Sequence, residues 1–257
     1  KIIGSMIKAR RIVKKFKPEV AVGVGGYASG PTLKAATMIG VPSMVQEQNS
    51  FPGKTNKILS KSVQKICVAY EGLERFFPKD KIVLTGNPTR RDMVSIEGKE
   101  AEGYKFYGFD PSKKTVLIIG GSLGARTLNE SVIANLEKLK TSGVQVLWQC
   151  GKLYHDKLEN ELKDTDLGEV KMVQFITRMD LAYAIADVVI SRAGAISISE
   201  LCLIKKPTIL VPSPNVSEDH QTKNAMALVE KDAAILVKDV EAKEKMVDEV
   251  LNLLSNE

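Results

Sequence analysis

Thr115-Val-Leu-Ile-Ile-Gly-Gly-Ser-Leu-Gly-Ala125, followed by the helical pattern of residues 126–140, reads as a strand running through a glycine-rich turn into a helix. Residues 115–119 leave no wet face, so this strand belongs inside a sheet covered on both sides. Similar short runs of Val, Ile and Leu, bounded by Gly, Pro and Asn, lie upstream at 20–23, 43–47, 65–69 and 81–85. Downstream they lie at 145–149, 170–175, 187–191, 208–211 and 234–237. Helical patterns alternate with them, which is the signature of parallel βαβ units and, with right-handed crossovers, of doubly wound sheets. The polar segment 93–114, with Gly98, Gly103, Gly108 and Pro111 and no strong period, reads as a junction between two domains. The expected organisation is a first domain over 1–92, the junction 93–114 and a second domain over 115–257, closed by a helix near 241–254.

The 257 residues are 44% apolar and 26% charged, an ordinary globular composition that excludes a disordered tail or a disulfide miniprotein. Cys67, Cys150 and Cys202 lie apart with no C-x-x-C spacing, so neither a zinc site nor a disulfide framework is indicated. No stretch approaches the roughly 18 to 20 apolar residues of a spanning helix, and the start lacks a signal-peptide pattern, so a cytoplasmic, reducing setting is expected. The chain begins at Lys1 in what reads as the middle of a helix, so an upstream segment is expected, and the C-terminal helix also lacks a clear stop.

The net charge of +6 is unevenly placed. Lys1, Lys8, Arg10, Arg11, Lys14, Lys15 and Lys17 occur with no acidic residue among them, while Ile2, Met6, Ala9, Val13 and Phe16 recur at helical spacing. This is an amphipathic helix with a basic flank. It either packs its stripe on a sheet or uses Ile3, Met6, Ile7, Lys8 and Arg11 as a patch against anionic lipid. With 5% aromatics and no recognisable motif, nucleic acid is not expected as a partner.

Two βα junctions carry the chemistry. At the first, Gly120, Gly121 and Gly124 would let an anion approach backbone N–H groups at a helix start, and Ser122 offers a hydroxyl. A glycine turn there is equally plain architecture. The pattern is neither a P-loop nor the G-x-G-x-x-G of a dinucleotide fold. The second junction is Val188-Val-Ile-Ser-Arg-Ala-Gly-Ala-Ile-Ser-Ile-Ser-Glu200, in which Ile196 and Glu200 share a face and Ser197, Leu201 and Ile204 form the adjacent buried stripe. A carboxylate at Glu200 suits a ribose diol, or complements the helix dipole.

The stretch 212–224 combines two prolines, a Ser217 cap candidate and the polar cluster Glu218, Asp219, His220 and Gln221. His220 and Asp219 are adjacent and do not face each other on a helix, so His220 is read as structural or substrate-orienting, and His155 as solvated. In the first half, Gly23-Val-Gly-Gly and Gln46-Glu-Gln-Asn49 lie at strand ends, where open α/β sheets bind ligands. Asn49 and Gln46 could bond sugar hydroxyls, or Asn49 could cap a turn, and Arg90 could reach a phosphate or a carboxylate. Asp164-Thr165-Asp166 is a D-x-D string without a glycine loop beside it and is read as a polar turn, so no metal is expected.

Taken together, G-G-Y-A-S-G-P at 25–31, E-Q-N at 47–49, G-N-P-T-R at 86–90, G-G-S-L-G-A-R at 120–126, R-A-G-A-I-S-I-S-E at 192–200 and D-H-Q-T-K-N-A at 219–225 resemble the MurG family in order and spacing. The resemblance covers almost the whole chain. It implies the GT-B architecture of two Rossmann-like doubly wound parallel-sheet domains, the first of them incomplete here. It also implies an inverting, metal-independent transfer of N-acetylglucosamine from UDP-N-acetylglucosamine to an undecaprenyl-linked muramyl-pentapeptide in peptidoglycan synthesis, with no cofactor. The expected location is the cytoplasmic face of the plasma membrane, as a peripheral protein on an anionic lipid surface.

By the same resemblance, Asn49 and Arg90 contact the donor, Ser122 the pyrophosphate, and the backbone of Ile176 the uracil. Ala195, Ile196, Ser197, Ile198, Ser199 and Glu200 form the helix start that holds phosphate and ribose, with Glu200 on the diol, and Gln221 meets the sugar hydroxyls. Ile3 and Met6 stand where the family often has larger aromatics. The family's glycine-rich loop G-G-T-G-G-H, whose histidine is the candidate base, has no counterpart in this chain, and neither does its returning C-terminal segment. The catalytic residue is therefore unassigned, and the chain alone is expected to hold most of the donor site without turning over. Two rival readings keep the nucleotide contacts: a GT-B epimerase of UDP-N-acetylglucosamine and a non-catalytic nucleotide-sugar module.

Overall fold

The computed structural model describes residues 2–255, leaving aside the side chains of residues 2 and 217. The Lys1 and Ile2 positions of the basic helix and the Ser217 cap therefore lie outside what is described. The chain divides into two compact units, Lys1–Pro88 and Thr89–Glu257.

In the first unit, helix α1 (Ile2–Phe16) packs on α2 (Gly26–Met38). Strands β1 (Ala21–Gly23), β2 (Ser43–Glu47), β3 (Lys65–Val68) and β4 (Ile82–Leu84) form a parallel sheet in sequential order, with α3 (Lys54–Leu59) between β2 and β3. Leu33, Val45, Leu59, Val63, Ile66, Val68, Leu73 and Phe77 make its core. The apolar stripe of α1 is narrower than its sequence suggests. Ala9 and Val13 are buried, whereas Phe16 is 78% exposed because the chain turns away at Lys17 in the left-handed region, φ 51°. Ile3, Ile7 and Ile12 are exposed on the basic side of the helix.

At the end of β2, Glu47 is 1% exposed and accepts from the N–H of Asn49 at 3.0 Å, its amide at 3.1 Å, the N–H of Gly53 at 3.2 Å and the amide of Asn56 at 2.8 Å. Four donors satisfy a carboxylate that would otherwise be costly to bury.

The second unit contains α4 (Arg91–Val94), α5 (Glu100–Tyr107), β5 (Thr115–Ile119), α6 (Arg126–Ala134), α7 (Leu136–Thr141), β6 (Gln145–Gln149), α8 (His155–Glu161), β7 (Val170–Val173), α9 (Met179–Ile185), β8 (Val188–Ser191), α10 (Ala195–Ile204), β9 (Thr208–Leu210), α11 (His220–Val229), β10 (Ile235–Leu236) and α12 (Ala242–Ser255). Its six strands are all parallel in the order β10-β9-β8-β5-β6-β7. Val116 and Ile118 point to one face of β5 and Leu117 and Ile119 to the other, and all four are buried, as a strand covered on both sides requires.

Trp148 on β6 is fully enclosed, and its indole N–H donates to Asn129 Oδ1 at 2.9 Å. The helix expected over 126–140 is interrupted at Asn135, whose amide donates to the carbonyls of Ser131 and Lys243, at 2.9 and 2.8 Å.

The segment read as a junction, 93–114, is built into this unit. α5 packs on α9, and a Cβ at Gly103 would lie 2.6 Å from Ile185 and 2.9 Å from the Leu181 carbonyl, so this glycine permits close helix approach and does not mark a turn. Lys99 pairs with Asp180 at 2.8 Å, and Tyr107 donates to the Arg178 carbonyl at 2.9 Å. Burial pushes the Tyr107 phenol up to about 12.

Candidate nucleotide-binding cleft

The order of the larger sheet creates a switch point. The chain leaves β5 for β6 and β7 on one side, then returns to build β8, β9 and β10 on the other. At such a point the turns after two adjacent strands diverge and leave a crevice at their carboxyl ends. A cleft of about 770 Å³ occupies this place, lined by the turns after β5 and β8, the ends of β6 and β7, and the loop after β9.

The turn after β5 contributes Gly120, Gly121, Ser122 and Gly124. Gly124, at φ 90°, lies back to back with Gly151 of the turn after β6, at φ 88°. A Cβ on Gly124 would fall 2.1 Å from the Cys150 carbonyl oxygen, and one on Gly151 would fall 2.1 Å from the Gly124 nitrogen. Lys152 and Leu153 N–H groups then donate to the carbonyls of Ser122 and Leu123, at 3.1 and 3.2 Å. The two turns thus brace each other, which fixes the open backbone of residues 120–122.

Helix α6 is preceded by Ala125 and α10 by Gly194, neither of which carries a side-chain cap. Both helices therefore present the positive ends of their dipoles toward the cleft.

From the second junction, Ser191, Arg192, Gly194, Ser197 and Glu200 reach the cleft. The buried stripe of α10 is Ile198, Leu201 and Ile204, with Ile198 in place of the expected Ser197, and Ser197 instead faces the cleft. Ile198 is 2% exposed and can offer only its backbone, Ile196 is 40% exposed away from the lining, and the Ser199 hydroxyl donates to the Ala195 carbonyl at 3.1 Å.

Glu200 accepts a hydrogen bond from the Tyr183 hydroxyl at 3.2 Å. Burial raises the Glu200 carboxyl above its ordinary value, while the Tyr183 hydrogen bond and the Arg90 charge oppose that rise. Burial together with the neighbouring carboxylate raises the Tyr183 phenol strongly. Arg192 donates to the Val211 carbonyl at 2.9 Å and pairs with Asp239, which also accepts from the Thr127 hydroxyl at 2.9 Å. This bridge ties the turn after β8 to the first turn of α6.

Gln149, at the end of β6 and 3% exposed, donates to the Gly121 carbonyl at 2.8 Å and accepts from the Ile176 N–H at 3.4 Å. Phe175, Ile176 and Met179 make an apolar slot beside it. Gln221 lines the opposite wall, and its Oε1 accepts from the Ser213 N–H at 2.9 Å.

Of the residues singled out in the sequence, Gly120, Gly121, Ser122, Gly124, Ile176, Ser197, Glu200 and Gln221 line one cleft. Arg90 does not: it is exposed and pairs with Asp92 at 2.6 Å. Asn49 belongs to the first unit, where its amide is held by Glu47. His220 stands outside the lining, its Nε2 3.6 Å from Glu218 Oε2, and His155 begins α8 beside Asp156. Asp166 of the D-x-D string accepts from the Gly168 N–H and pairs with Lys140, at 2.9 and 3.2 Å.

Tyr183, Gln149, Gly151 and the Arg192–Asp239–Thr127 bridge were not singled out. Gln149 is signalled in the sequence as the polar end of an otherwise apolar strand, whereas Tyr183 carries no local mark that separates it from a core aromatic.

Comparison with known proteins places these observations in a family. Residues 1–68 match the glycosyltransferase family 28 N-terminal domain, and residues 115–257 match its C-terminal domain. A relative from Parabacteroides distasonis, named UDP-N-acetylglucosamine--N-acetylmuramyl-(pentapeptide) pyrophosphoryl-undecaprenol N-acetylglucosamine transferase, is 55% identical over 98% of this chain and 69% of its own length. The same-named protein of Phocaeicola vulgatus is 56% identical over 98% of this chain and 67% of its own.

Among solved structures, Acinetobacter baumannii MurG is 31% identical with a TM-score of 0.76, over 99% of this chain and 69% of that one. A UDP-GlcNAc 2-epimerase from Neisseria meningitidis, 14% identical over 99% of this chain and 72% of its own with a TM-score of 0.64, shares the fold alone. A chain that matches both domain models and is more than half identical to these transferases belongs to the MurG family of glycosyltransferase family 28.

Proposed function

We propose that this chain serves transfer of N-acetylglucosamine from UDP-N-acetylglucosamine to the lipid-linked muramyl-pentapeptide named by its relatives, and that UDP is held in the cleft at the switch point of the larger sheet. The convergence of two helix starts with Ser122 and Glu200 at that cleft is the observation that carries this reading. The amides near Ser122 and Ala195 face the pyrophosphate, the backbone of Ile176 faces the uracil, Glu200 accepts from the ribose hydroxyls, and Gln221 meets the sugar.

In the reaction the acceptor hydroxyl attacks the anomeric carbon as the bond to the UDP oxygen breaks, and the hydroxyl proton passes to a base. The helix starts are fixed dipoles aimed at the charge that develops on departing UDP, which lowers the barrier without reorganisation at the moment of reaction. The stereochemical outcome is inversion, and the pyrophosphate charge is met by backbone dipoles in place of a metal.

No helix among the described residues is long and apolar enough to cross a membrane. Exposed Ile3 and Ile7 beside Lys8 and Arg11, with half-buried Met6, give α1 a face suited to anionic lipid headgroups, in keeping with peripheral attachment at the cytoplasmic membrane face.

Titration calorimetry of the 257-residue chain with UDP-N-acetylglucosamine, with UDP-glucose as comparator, tests the cleft assignment. Glu200→Ala is expected to weaken UDP binding by about 1 to 3 kcal/mol through unpaired ribose hydroxyls. Unchanged affinity in that variant removes the assignment. The epimerase reading is separated by product analysis with and without lipid acceptor.

A further inference from the structure

We infer that Tyr183 is a positioning residue for nucleotide binding: from α9 it holds the Glu200 carboxylate of α10 in the conformation that meets the ribose. This rests on the assignment of UDP to the cleft and extends it to a residue with no assigned role.

Tyr183 is 1% exposed, yet it also borders the cleft. A phenylalanine would fill the same apolar volume, so the hydroxyl is the part of the side chain that packing leaves unexplained. That hydroxyl lies 3.2 Å from Glu200 Oε2, across two different helices. A buried phenolic O–H needs an acceptor, and this carboxylate oxygen provides one.

Glu200 gains from the contact as well. A glutamate has three rotatable side-chain bonds, and at the edge of a cleft it samples several rotamers that binding must then freeze. One fixed donor selects a single arrangement before the ligand arrives. A carboxylate offers about four lone-pair positions, so Tyr183 occupies one and leaves Oε1 and the rest of Oε2 for a diol.

The same contact sets when the carboxylate is ionised. Burial opposes ionisation, and the phenol and Arg90 favour it. The other ionisable groups on helices packed against α10 are Arg91 and Asp92 of α4 and His220 and Lys223 of α11. Asp92 is engaged by Arg90, His220 faces Glu218, and Lys223 donates to the Glu218 carbonyl at 2.7 Å. Removing the phenolic hydroxyl therefore withdraws one of two favourable influences on Glu200.

The test compares wild type, Tyr183→Phe, Glu200→Ala and the double variant, with UDP as titrant from pH 5 to 8. Tyr183→Phe is expected to bind UDP about 3- to 10-fold more weakly at pH 7.5, the cost of ordering one rotamer-rich side chain at the moment of binding. The loss should vanish in the Glu200→Ala background, because the hydroxyl acts through that carboxylate. The pH at which affinity falls by half should move upward in Tyr183→Phe relative to wild type. Full UDP affinity in Tyr183→Phe, an equal loss in the Glu200→Ala background, or an unmoved pH midpoint each overturns the inference while leaving UDP in the cleft. Absence of UDP binding by the wild-type chain overturns both readings together.

Discussion

Substituting Gly151 by alanine tests whether the two glycine turns brace each other. The residue sits at φ 88°, where an L side chain costs about 1 to 2 kcal/mol on its own. The added Cβ would also fall 2.1 Å from the Gly124 nitrogen and 2.2 Å from its Cα, both backbone atoms with no flexible end to swing aside. Relief requires the turns to part, which breaks the hydrogen bonds from Lys152 and Leu153 to the carbonyls of Ser122 and Leu123, each worth about 1 kcal/mol.

The sum is about 3 to 4 kcal/mol, and for a unit of this size it lowers the melting temperature by about 6 to 16 °C. Gly143→Ala is the control. That residue is also left-handed, at φ 76°, but has nothing within 4 Å of its Cβ position, so only the conformational cost of about 1 to 2 kcal/mol remains. Calorimetric melting of the two variants beside wild type isolates the contact. Equal shifts in the two would refute the argument that the turns press on one another.

The remaining predictions concern charge. Because the Glu200 carboxyl is raised, UDP affinity should begin to fall, as pH is lowered, at a higher pH than an ordinary carboxylate near 4.3 would give, and Glu200→Gln should flatten that profile in the same titration. Hydrogen bonds from Arg178, then Lys99, hold Asp180 well below the usual carboxylate range, so its contribution to stability is present above the unfolded value of about 3.9 and is lost as pH falls through the depressed folded value. Asp180→Asn should therefore cost at most about 2 kcal/mol at pH 7, since Arg178 and Lys99 stay in contact with water, and the gap to wild type in thermal melts should narrow in acid. Charge reversal at Lys8 and Arg11 should weaken sedimentation with phosphatidylglycerol vesicles, at about 1 kcal/mol for each basic charge removed, and 0.5 M salt should erase the difference. Equal binding of wild type and reversed chain would exclude α1 from the lipid contact.

The strands were legible because each is buried on both faces. Residues 115–119, 146–148 and 188–190 show uninterrupted apolar or β-branched character, and the observed ends differ from the expected ones by a residue or two, as where the β9 ladder stops at Leu210 before the apolar Val211. Polar helices were harder. The segment 93–114 reads as a linker since α5 owes its place to contacts with α9, among them the Gly103 approach and the Lys99–Asp180 pair, both of which join residues about 80 positions apart. Ser122 and Glu200 stand within motifs that a strand, turn and helix reading can locate. Tyr183 and Gly151 acquire their meaning only from partners on other elements, Glu200 in one case and Gly124 in the other.

What assembles the cleft is strand order, and its effect can be stated in distances. β8 pairs with β5, with Ser191 opposite Ile119, so the two junctions that carry Ser122 and Glu200 leave the sheet from adjacent strands, about 4.8 Å apart. Had the chain added β8 beyond β7, the same two junctions would emerge three strands apart, at about 14 Å, and sheet twist would splay them further. Two helix starts at that separation cannot share one pyrophosphate. The Arg192–Asp239–Thr127 bridge ties the same two junctions with side chains: Arg192 follows β8, Thr127 lies in the first turn of α6, and Asp239, which follows β10, pairs with both. The anion binding proposed for this chain is thus a property of the crossover between β7 and β8, and the glycine-rich motif that first attracts notice supplies only one side of it.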